Sequence, residues 1–381
     1  MSTLIAPGAT LGVLGSGQLG RMFAMAARRM GYRVHVYSPD ADSPTGQVAD
    51  REVVGAYEDL ARVRAFAGNC AAVTIEFENI PASTLEAVAE VCPVRPGPYS
   101  LSVTQHRLRE REFLVAGGFP VVPFAIVRSI EDLKIAVATL GTPAVLKTAG
   151  FGYDGKGQRL VRGAAEAEAD WASLDRAECV YERFIDFAQE ISVIAIRGVD
   201  SSVVTYAPFA NRHANHILDV TTWPAQLAPA LLRQAQDLSR EIAVSLDHVG
   251  VLAIELFVTN DGKLLVNELA PRPHNSGHVT IEAAHVSQYE QQVRALCGLP
   301  PGSTAVRQPG AMANLLGDRW AGGEPRWSAA LASGPVALHL YGKAMARSGR
   351  KMGHLTATAP TSAEAAEIVV RAREALTPPS L

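Results

Sequence analysis

The sequence is poor in cysteine. Only Cys70, Cys92, Cys179 and Cys297 occur in 381 residues, and no two form a CxxC pair. That excludes a disulfide framework and a thiolate zinc site, and the four read as buried free thiols in a reducing cytoplasm. Long apolar runs are missing too: none approaches the 18 or so residues of a membrane span, and the richest, 250–258, is interrupted by Glu255. No basic segment precedes an apolar one at the N-terminus, so no secretory signal is expected. There is no excess of positive charge, since 35 Lys and Arg stand against 38 Asp and Glu for a net charge of -3. This excludes a strongly basic nucleic-acid binder but leaves room for a local basic pocket that takes a small anion. Glycine (32) and proline (23) make up about 14% of the chain, well below the roughly 25–30% of disordered sequences. What is present is 48% hydrophobic residue, enough for sizeable cores in two or three domains.

Strand and helix patterns alternate through the first hundred residues. Strands are expected at 10–14, 33–37, 72–75 and near Val94, and helices at 19–30, 59–67 and 83–91. This alternation implies a parallel sheet with crossover helices. Pro93, Pro96, Gly97 and Pro98 then crowd together, which places a boundary near residue 103. A helix over 104–116 leads into a small α+β unit with strands at 124–127, 144–147, 159–161 and 180–184 and helices at 130–140 and 164–174. Strands at 191–196 and 203–206 and an amphipathic helix at 227–246 follow. Next comes a hairpin of 251–258 and 263–269 around Thr259-Asn260-Asp261-Gly262, then a helix at 281–296. From Gly310 short strands and loops suggest a further domain. The division is therefore 1–103, 104–300 with a lid subdomain at about 120–186, and 301–381.

Several motifs carry chemistry. Gly15-Ser16-Gly17-Gln18-Leu19-Gly20 lies between a strand and a helix, where glycines permit close approach and the helix N-terminus favours an anion. A dinucleotide site wants an acid ending the second strand, but that strand ends in Tyr37-Ser38-Pro39, with Asp40 only after the proline. A phosphate-bearing substrate is the better reading. Gly150-Phe151-Gly152-Tyr153-Asp154-Gly155-Lys156-Gly157-Gln158 can close over phosphates as a lid. Lys147, ending an apolar strand just upstream, needs an anionic partner or solvent. Glu182-Arg183-Phe184-Ile185 can offer backbone groups to an adenine edge, and Glu190 is spaced to reach ribose hydroxyls. Glu255 and Glu268, each inside an apolar strand on either side of a tight turn, can face the same side. Two such acids repel unless something positive lies between them, which suits Mg2+ held with ATP phosphates. Asn267 is adjacent. Ala270-Pro271-Arg272-Pro273-His274-Asn275-Ser276-Gly277-His278 is an unusually polar loop after an apolar strand. Lys343, Arg347, Arg350 and Lys351 form either a solvated loop or a phosphate pocket.

Together these residues resemble the ATP-grasp superfamily, and within it the N5-carboxyaminoimidazole ribonucleotide synthetases. The resemblance runs from Gly12 to about Leu355. It is carried by Gly15 to Arg21, Thr74-Ile75-Glu76-Phe77-Glu78, the lid stretch Gly152 to Gln158, Asn267 to His278, and Gly349-Arg350-Lys351-Met352-Gly353-His354-Leu355. The resemblance implies an α/β and α+β chain: an ATP-grasp fold with an N-terminal Rossmann-like (pre-ATP-grasp) domain and a small β-rich C-terminal domain. It implies ATP- and bicarbonate-dependent carboxylation of 5-aminoimidazole ribonucleotide through carboxyphosphate, with Mg2+, in a cytoplasmic homodimer that binds no nucleic acid or membrane.

By likeness, Arg107, Lys147 and the lid residues Gly152, Tyr153, Asp154, Gly155, Lys156, Gly157 and Gln158 would meet ATP phosphates. Glu182, Arg183, Phe184 and Ile185 would hold adenine and Glu190 the ribose, with His213 nearby. Glu255 and Glu268 would bind the metal beside Asn267, and Arg272 would stabilise carboxyphosphate. Gln18, Leu19, Glu76, Tyr153, Asp154, Arg272, His274, Asn275 and Ser276 would face the ribonucleotide, with Lys343 and Arg350 at its phosphate. Tyr153 and Asp154 would touch both substrates. The chain departs from the family pattern at Arg107, where lysine is common, and at His106 and Ala210, where acids are expected. Other readings are another ATP-grasp ligase, such as formate-dependent glycinamide ribonucleotide transformylase, an NAD-dependent oxidoreductase, and a nucleotide sensor without catalysis.

Overall fold

Short apolar strands alternating with helices build a four-stranded parallel sheet at the N-terminal end. Its spatial order is Arg51–Val54, Arg33–Ser38, Thr10–Leu14, Ala72–Ile75. The computed structural model describes residues 4–150 and 157–377. Thr10–Leu14 and Ala72–Ile75 are buried almost throughout, as strands covered on both faces must be. Helix Leu60–Ala67 begins where the Asp59 side chain accepts from the Arg62 amide. Arg51–Val54 was not expected from the sequence, being a four-residue edge strand with charged residues and partial exposure. Near Val94 there is only an isolated bridge to Val73, because Pro93 and Pro96 on either side have no N–H to extend a ladder.

A second sheet is small and antiparallel, ordered Phe124–Val127, Cys179–Arg183, Ala144–Thr148, Gln158–Val161. Helix Ile130–Leu140, entered through a Ser129/Asp132 capping box, packs Leu133 and Ala136 against Val127, Leu146 and Tyr181.

The third sheet has nine strands. Eight run in the order Leu264–Ala270, Gly250–Thr259, Phe187–Arg197, Phe209–Ala214, Ile217–Trp223, Gly310–Leu316, Lys351–Thr358, Val336–Leu340, and Val203–Thr205 pairs with Phe187–Arg197 off this path. The strands after residue 310 therefore extend this sheet rather than forming one of their own. Helix Pro229–Ser245 covers one face with Ala235, Leu238 and Ile242 against Val193, Ala195 and Leu252.

Some expected elements are corrected. The helix expected over 104–116 is two, Pro98–Thr104 and Arg107–Ala116. His106 between them is extended and bridges Gly150, a tertiary contact that overrides local propensity. The helix expected over 281–296 is also two, Thr280–Ala283 and Gln288–Cys297, the latter capped by Ser287. Helix 164–174 shortens to Ala167–Ala172. All four cysteines are free, but only Cys179 and Cys297 are buried; Cys70 and Cys92 are partly exposed.

Candidate active site

The hairpin Gly250–Thr259/Leu264–Ala270 turns at Gly262, whose φ of 79° suits glycine. Its register sets Glu255 directly opposite Glu268, so both carboxylates share one face. His274 Nε2 lies 3.0 Å from Glu255 Oε1, and Asn267 Nδ2 donates to Glu255 Oε2 at 3.4 Å. Burial alone would raise the Glu255 carboxyl, but the His274 contact, with His213 and Lys351 beyond it, carries it down. Burial pushes Glu268 up; Arg107 and Lys147 pull against that and Glu255 adds to it. One acid of the pair is thus held ionised and the other is strained by its neighbour, a setting that a cation relieves.

Beside this pair lies a buried ionic network. Lys147 Nζ is 2.7 Å from Glu182 Oε2 and 3.4 Å from Asn267 Oδ1. The other Glu182 oxygen accepts two bonds from Arg111, at 2.9 and 2.7 Å. Arg111 also donates to Glu110 Oε1 at 2.8 Å and to the Asn267 carbonyl at 2.5 Å. Glu110 Oε2 in turn accepts from the Leu269 amide at 2.9 Å. Burial would raise Glu182, but Arg111 and Lys147 hold it at about 2. Burial pushes Glu110 up to about 7.

The Glu182 carboxylate is thus committed to Lys147 and Arg111, and the backbone of 182–185 is what remains for the adenine contact expected there. Glu110 and Arg111 were missed; in the charged stretch 107–112 nothing in the sequence marks which charges turn inward. Arg183 and Phe184 are exposed, and their amides donate to the Pro123 and Pro143 carbonyls. Among the described residues the Ile185 N–H has no acceptor.

Arg107 opens its helix with its amide 2.7 Å from the Ala149 carbonyl and Nη1 3.0 Å from the Thr148 carbonyl. Gln158 pairs with Lys147, and Gly157, at φ 70°, accepts from the Thr148 amide. Gly152, Tyr153, Asp154, Gly155 and Lys156 lie outside the described residues. Glu190 meets His213 Nδ1 at 2.5 Å. Burial would lower His213, but Glu190 holds it above its usual value.

On the N-terminal side, the Glu76 carboxylate accepts from the Gly17 amide at 2.7 Å and the Gly20 amide at 3.3 Å. The group at that helix N-terminus is thus the protein's own Glu76 side chain, beside Gln18 and Leu19. A Cβ at Gly15 or Gly17 would strike Glu76 at 2.5 or 2.7 Å. Leu19 is buried in the helix's first turn, and Gln18 reaches outward, accepting from Lys343 Nζ at 2.5 Å. Lys343 also donates to the Lys351 carbonyl at 2.7 Å.

Arg272 forks onto Glu78 at 2.5 and 2.7 Å. Burial alone would lower the guanidinium, but Glu78 outweighs it and raises it. Asn275 is buried with neither amide atom partnered among the described residues. Ser276 is fully buried, its hydroxyl bonded to His274 Nδ1 and Ser192 Oγ. Arg350 turns back onto the Met345 carbonyl at 2.9 Å, and Arg347 is exposed. Glu78, Arg107, Glu110 and Glu268 line one polar cleft with Asn79, Thr104 and Gln105.

Three family models match the chain in sequence: a ribonucleotide synthetase preATP-grasp domain over 8–105, an ATP-grasp domain over 112–289, and a phosphoribosylaminoimidazole carboxylase C-terminal domain over 310–368. The chain is 42% identical over 355 residues to the N5-carboxyaminoimidazole ribonucleotide synthase of Bacillus subtilis, covering 93% of this chain and 92% of that protein. It superposes on an ADP complex of an N5-carboxyaminoimidazole ribonucleotide synthetase with a TM-score of 0.93 at 39% identity, covering 98% of each chain. It also superposes on the Aspergillus clavatus enzyme in complex with ADP and 5-aminoimidazole ribonucleotide, with a TM-score of 0.89 at 30% identity, covering 97% of this chain and 98% of that one. The chain belongs to the N5-carboxyaminoimidazole ribonucleotide synthase family of the ATP-grasp superfamily.

Proposed function

We propose that the protein carboxylates 5-aminoimidazole ribonucleotide with bicarbonate at the expense of ATP, giving N5-carboxyaminoimidazole ribonucleotide, ADP and phosphate, a step of purine biosynthesis. The observation that carries this reading is the opposed pair Glu255/Glu268, with Arg107, Lys147 and Glu78, which forks with Arg272, all acting on Glu268.

The chemistry follows from the substrate. Bicarbonate is a poor electrophile because its leaving group is hydroxide. Phosphorylation converts that group into phosphate, and the resulting carboxyphosphate delivers its carboxyl carbon, directly or as CO2, to the ribonucleotide amine. Cations must offset the charge that builds on the transferring phosphoryl group. Lys147 and Arg107 would grip ATP phosphates, and Arg272, already forked to a carboxylate, has the planar geometry to take a second oxyanion. Two glutamates with hard oxygen donors, Glu255 and Glu268, would hold Mg2+. Bound there, the ion would neutralise phosphoryl oxygens. The Ile185 amide would be the donor to adenine, and Glu190 with His213 would reach the ribose. Gln18, Leu19, Glu76, His274, Asn275, Lys343 and Arg350 would surround the ribonucleotide, with Tyr153 and Asp154 closing over both substrates.

Among the described residues no helix is long and apolar enough to cross a membrane; a cytoplasmic homodimer is the proposed form. The test is ADP release with Mg·ATP and bicarbonate, with and without 5-aminoimidazole ribonucleotide. Strong stimulation by the ribonucleotide supports the reading. Release that depends on formate, or that ignores the ribonucleotide, refutes it.

A further inference from the structure

Strand Leu264–Ala270 stands at the end of the large sheet, so its outer side meets no further strand of that sheet. Its side chains do not alternate evenly. Leu264, Val266 and Leu269 all enter one apolar core, a spacing of two and then of three. The pairing shows why. Glu255 opposes Glu268 and Leu256 opposes Val266, which leaves Asn267 with no opposite residue. This is a β-bulge, and it turns two successive side chains, Asn267 and Glu268, to the face away from that core. Both meet the cleft there. Asn267 touches Lys147 and Glu255, and Glu268 lies with Arg107 and Glu78. Losing the bulge would put Asn267 opposite Glu255 and turn Glu268 into the core.

A bulge at a sheet edge leaves backbone groups that no ladder satisfies. The Asn267 carbonyl and the Leu269 amide flank Glu268 and leave an extended strand on the same side. One residue of a further strand would meet them with its N–H and its C=O. Here two side chains do so. Arg111 Nη2 donates to the Asn267 carbonyl at 2.5 Å, and Glu110 Oε2 accepts from the Leu269 amide at 2.9 Å. The two are consecutive in helix Arg107–Ala116, both are buried, and Arg111 Nη1 donates to Glu110 Oε1 at 2.8 Å. They stand in for one residue of an absent strand, centred on Glu268. Arg111 Nη2 also donates to Glu182 Oε1 at 2.7 Å, and Glu182 Oε2 lies 2.7 Å from Lys147 Nζ. One guanidinium therefore joins the strand that bears Glu268 to the carboxylate that holds Lys147.

We propose that Glu110 and Arg111 are positioning residues of the nucleotide site. By capping the bulge they keep Asn267 and Glu268 turned into the cleft, in register with Lys147, so that a divalent cation and the phosphate it accompanies are gripped together. Their effect passes through the backbone of 267–269 and the Glu182 carboxylate. The role toward the cation rests on the carboxylation reading; the capping of the bulge does not.

The experiment titrates Mn2+, visible by EPR in place of Mg2+, into full-length enzyme saturated with ADP, and measures ADP affinity separately in EDTA. Glu110→Met removes the acceptor and is expected to weaken Mn2+ binding about tenfold, as loss of a residue supporting a metal ligand does, with ADP affinity in EDTA within about twofold of wild type. Glu110→Gln keeps one oxygen for the Leu269 amide and is expected to recover part of the loss. Arg111→Lys keeps the charge, but an ammonium cannot fork across Glu182 and the Asn267 carbonyl. The same loss is expected of it, and it decides alone if Glu110→Met does not fold. The control is Val369→Ala, a buried core change in helix Ser362–Glu374. It is expected to lower thermal stability and leave Mn2+ affinity unchanged, which separates positioning from general loosening. Mn2+ affinity within about twofold of wild type in either folded variant, Glu110→Met or Arg111→Lys, overturns the proposal, as does an equal loss in Val369→Ala. A wild type that takes up no Mn2+ with ADP overturns it together with the metal site. The expected losses in a chain without ribonucleotide-dependent ADP release support the positioning role and refute the carboxylation instead.

Discussion

Replacing Glu182 with Gln tests the ionic network most directly. The carboxylate is nearly inaccessible and carries both Lys147 and Arg111. In Glu182→Gln, among the described residues Arg111 keeps its ion pair with Glu110 and Lys147 its contact with Asn267 at 3.4 Å. Breaking a buried ion pair from one side costs about 3–5 kcal/mol, and the retained amide oxygen favours the lower end. The same contacts carry the carboxyl from 4.5 to about 2 in the fold, which at about 1.4 kcal/mol per unit falls in the same range. Urea unfolding at neutral pH should therefore show a loss of about 3 kcal/mol with an unchanged slope, a large share of an ordinary domain's stability. Because the folded value lies below the unfolded one, this contribution is complete above about pH 4.5 and vanishes as pH falls toward 2. Wild type and Glu182→Gln should accordingly converge in acid. Pairing Glu182→Met with Arg111→Met should recover part of the loss, since two apolar side chains leave no orphaned charge. A Glu182→Gln protein within about 1 kcal/mol of wild type at neutral pH would sink the reasoning.

Three further outcomes are expected. Glu268→Gln should lower turnover by about a hundredfold or more through weakened Mg·ATP binding; titrating Mg2+ against ADP release checks this, and near-normal turnover removes Glu268 from the site. Lys343→Ala should raise the ribonucleotide KM by roughly tenfold or more, the worth of a charged hydrogen bond, while leaving the ATP KM alone; an unchanged ribonucleotide KM returns Lys343 to a packing role. Glu78→Gln should cut kcat roughly tenfold by loosening the fork on Arg272, with a smaller effect on either KM; steady-state kinetics with both substrates varied decides it.

How much of this could be read from the sequence depends on how far each residue's surroundings are local. The opposition of Glu255 and Glu268 was legible because a tight turn fixes register and the strand period fixes the face. Glu182 was not, since the direction of its side chain depends on Lys147 arriving from the neighbouring strand, 35 positions earlier in the chain. The bonds from the Gly17 and Gly20 amides to Glu76 were not legible either, although a carboxylate is an anion that a helix N-terminus draws in. Strands Phe209–Ala214 and Ile217–Trp223 were missed because 209–219 alternates polar and small residues with little apolar content. Their turn rests on Asn215 and His216 at positive φ, a weaker cue than Asn-Gly. The break at Gln105 and His106 has no glycine or proline to announce it and is imposed from outside by Gly150.

The continuity of the nine-stranded sheet bears on how the gene can be dissected. The sequence suggests a seam around residue 300, and the family models also part between 289 and 310. Yet Ile217–Trp223 is hydrogen-bonded on its far side by Gly310–Leu316, so the covalent seam is not a seam in the backbone ladder. A truncation before residue 310 removes three strands and bares Ile217–Trp223 as a raw edge, with Val220 deprived of the cover of Ala311, Ala313, Ala357 and Val369. Such an edge recruits a strand from another molecule. The shortened protein is therefore a candidate for inclusion bodies rather than an isolated nucleotide-binding module, and the reciprocal fragment has the complementary edge with which to rescue it when both are expressed together.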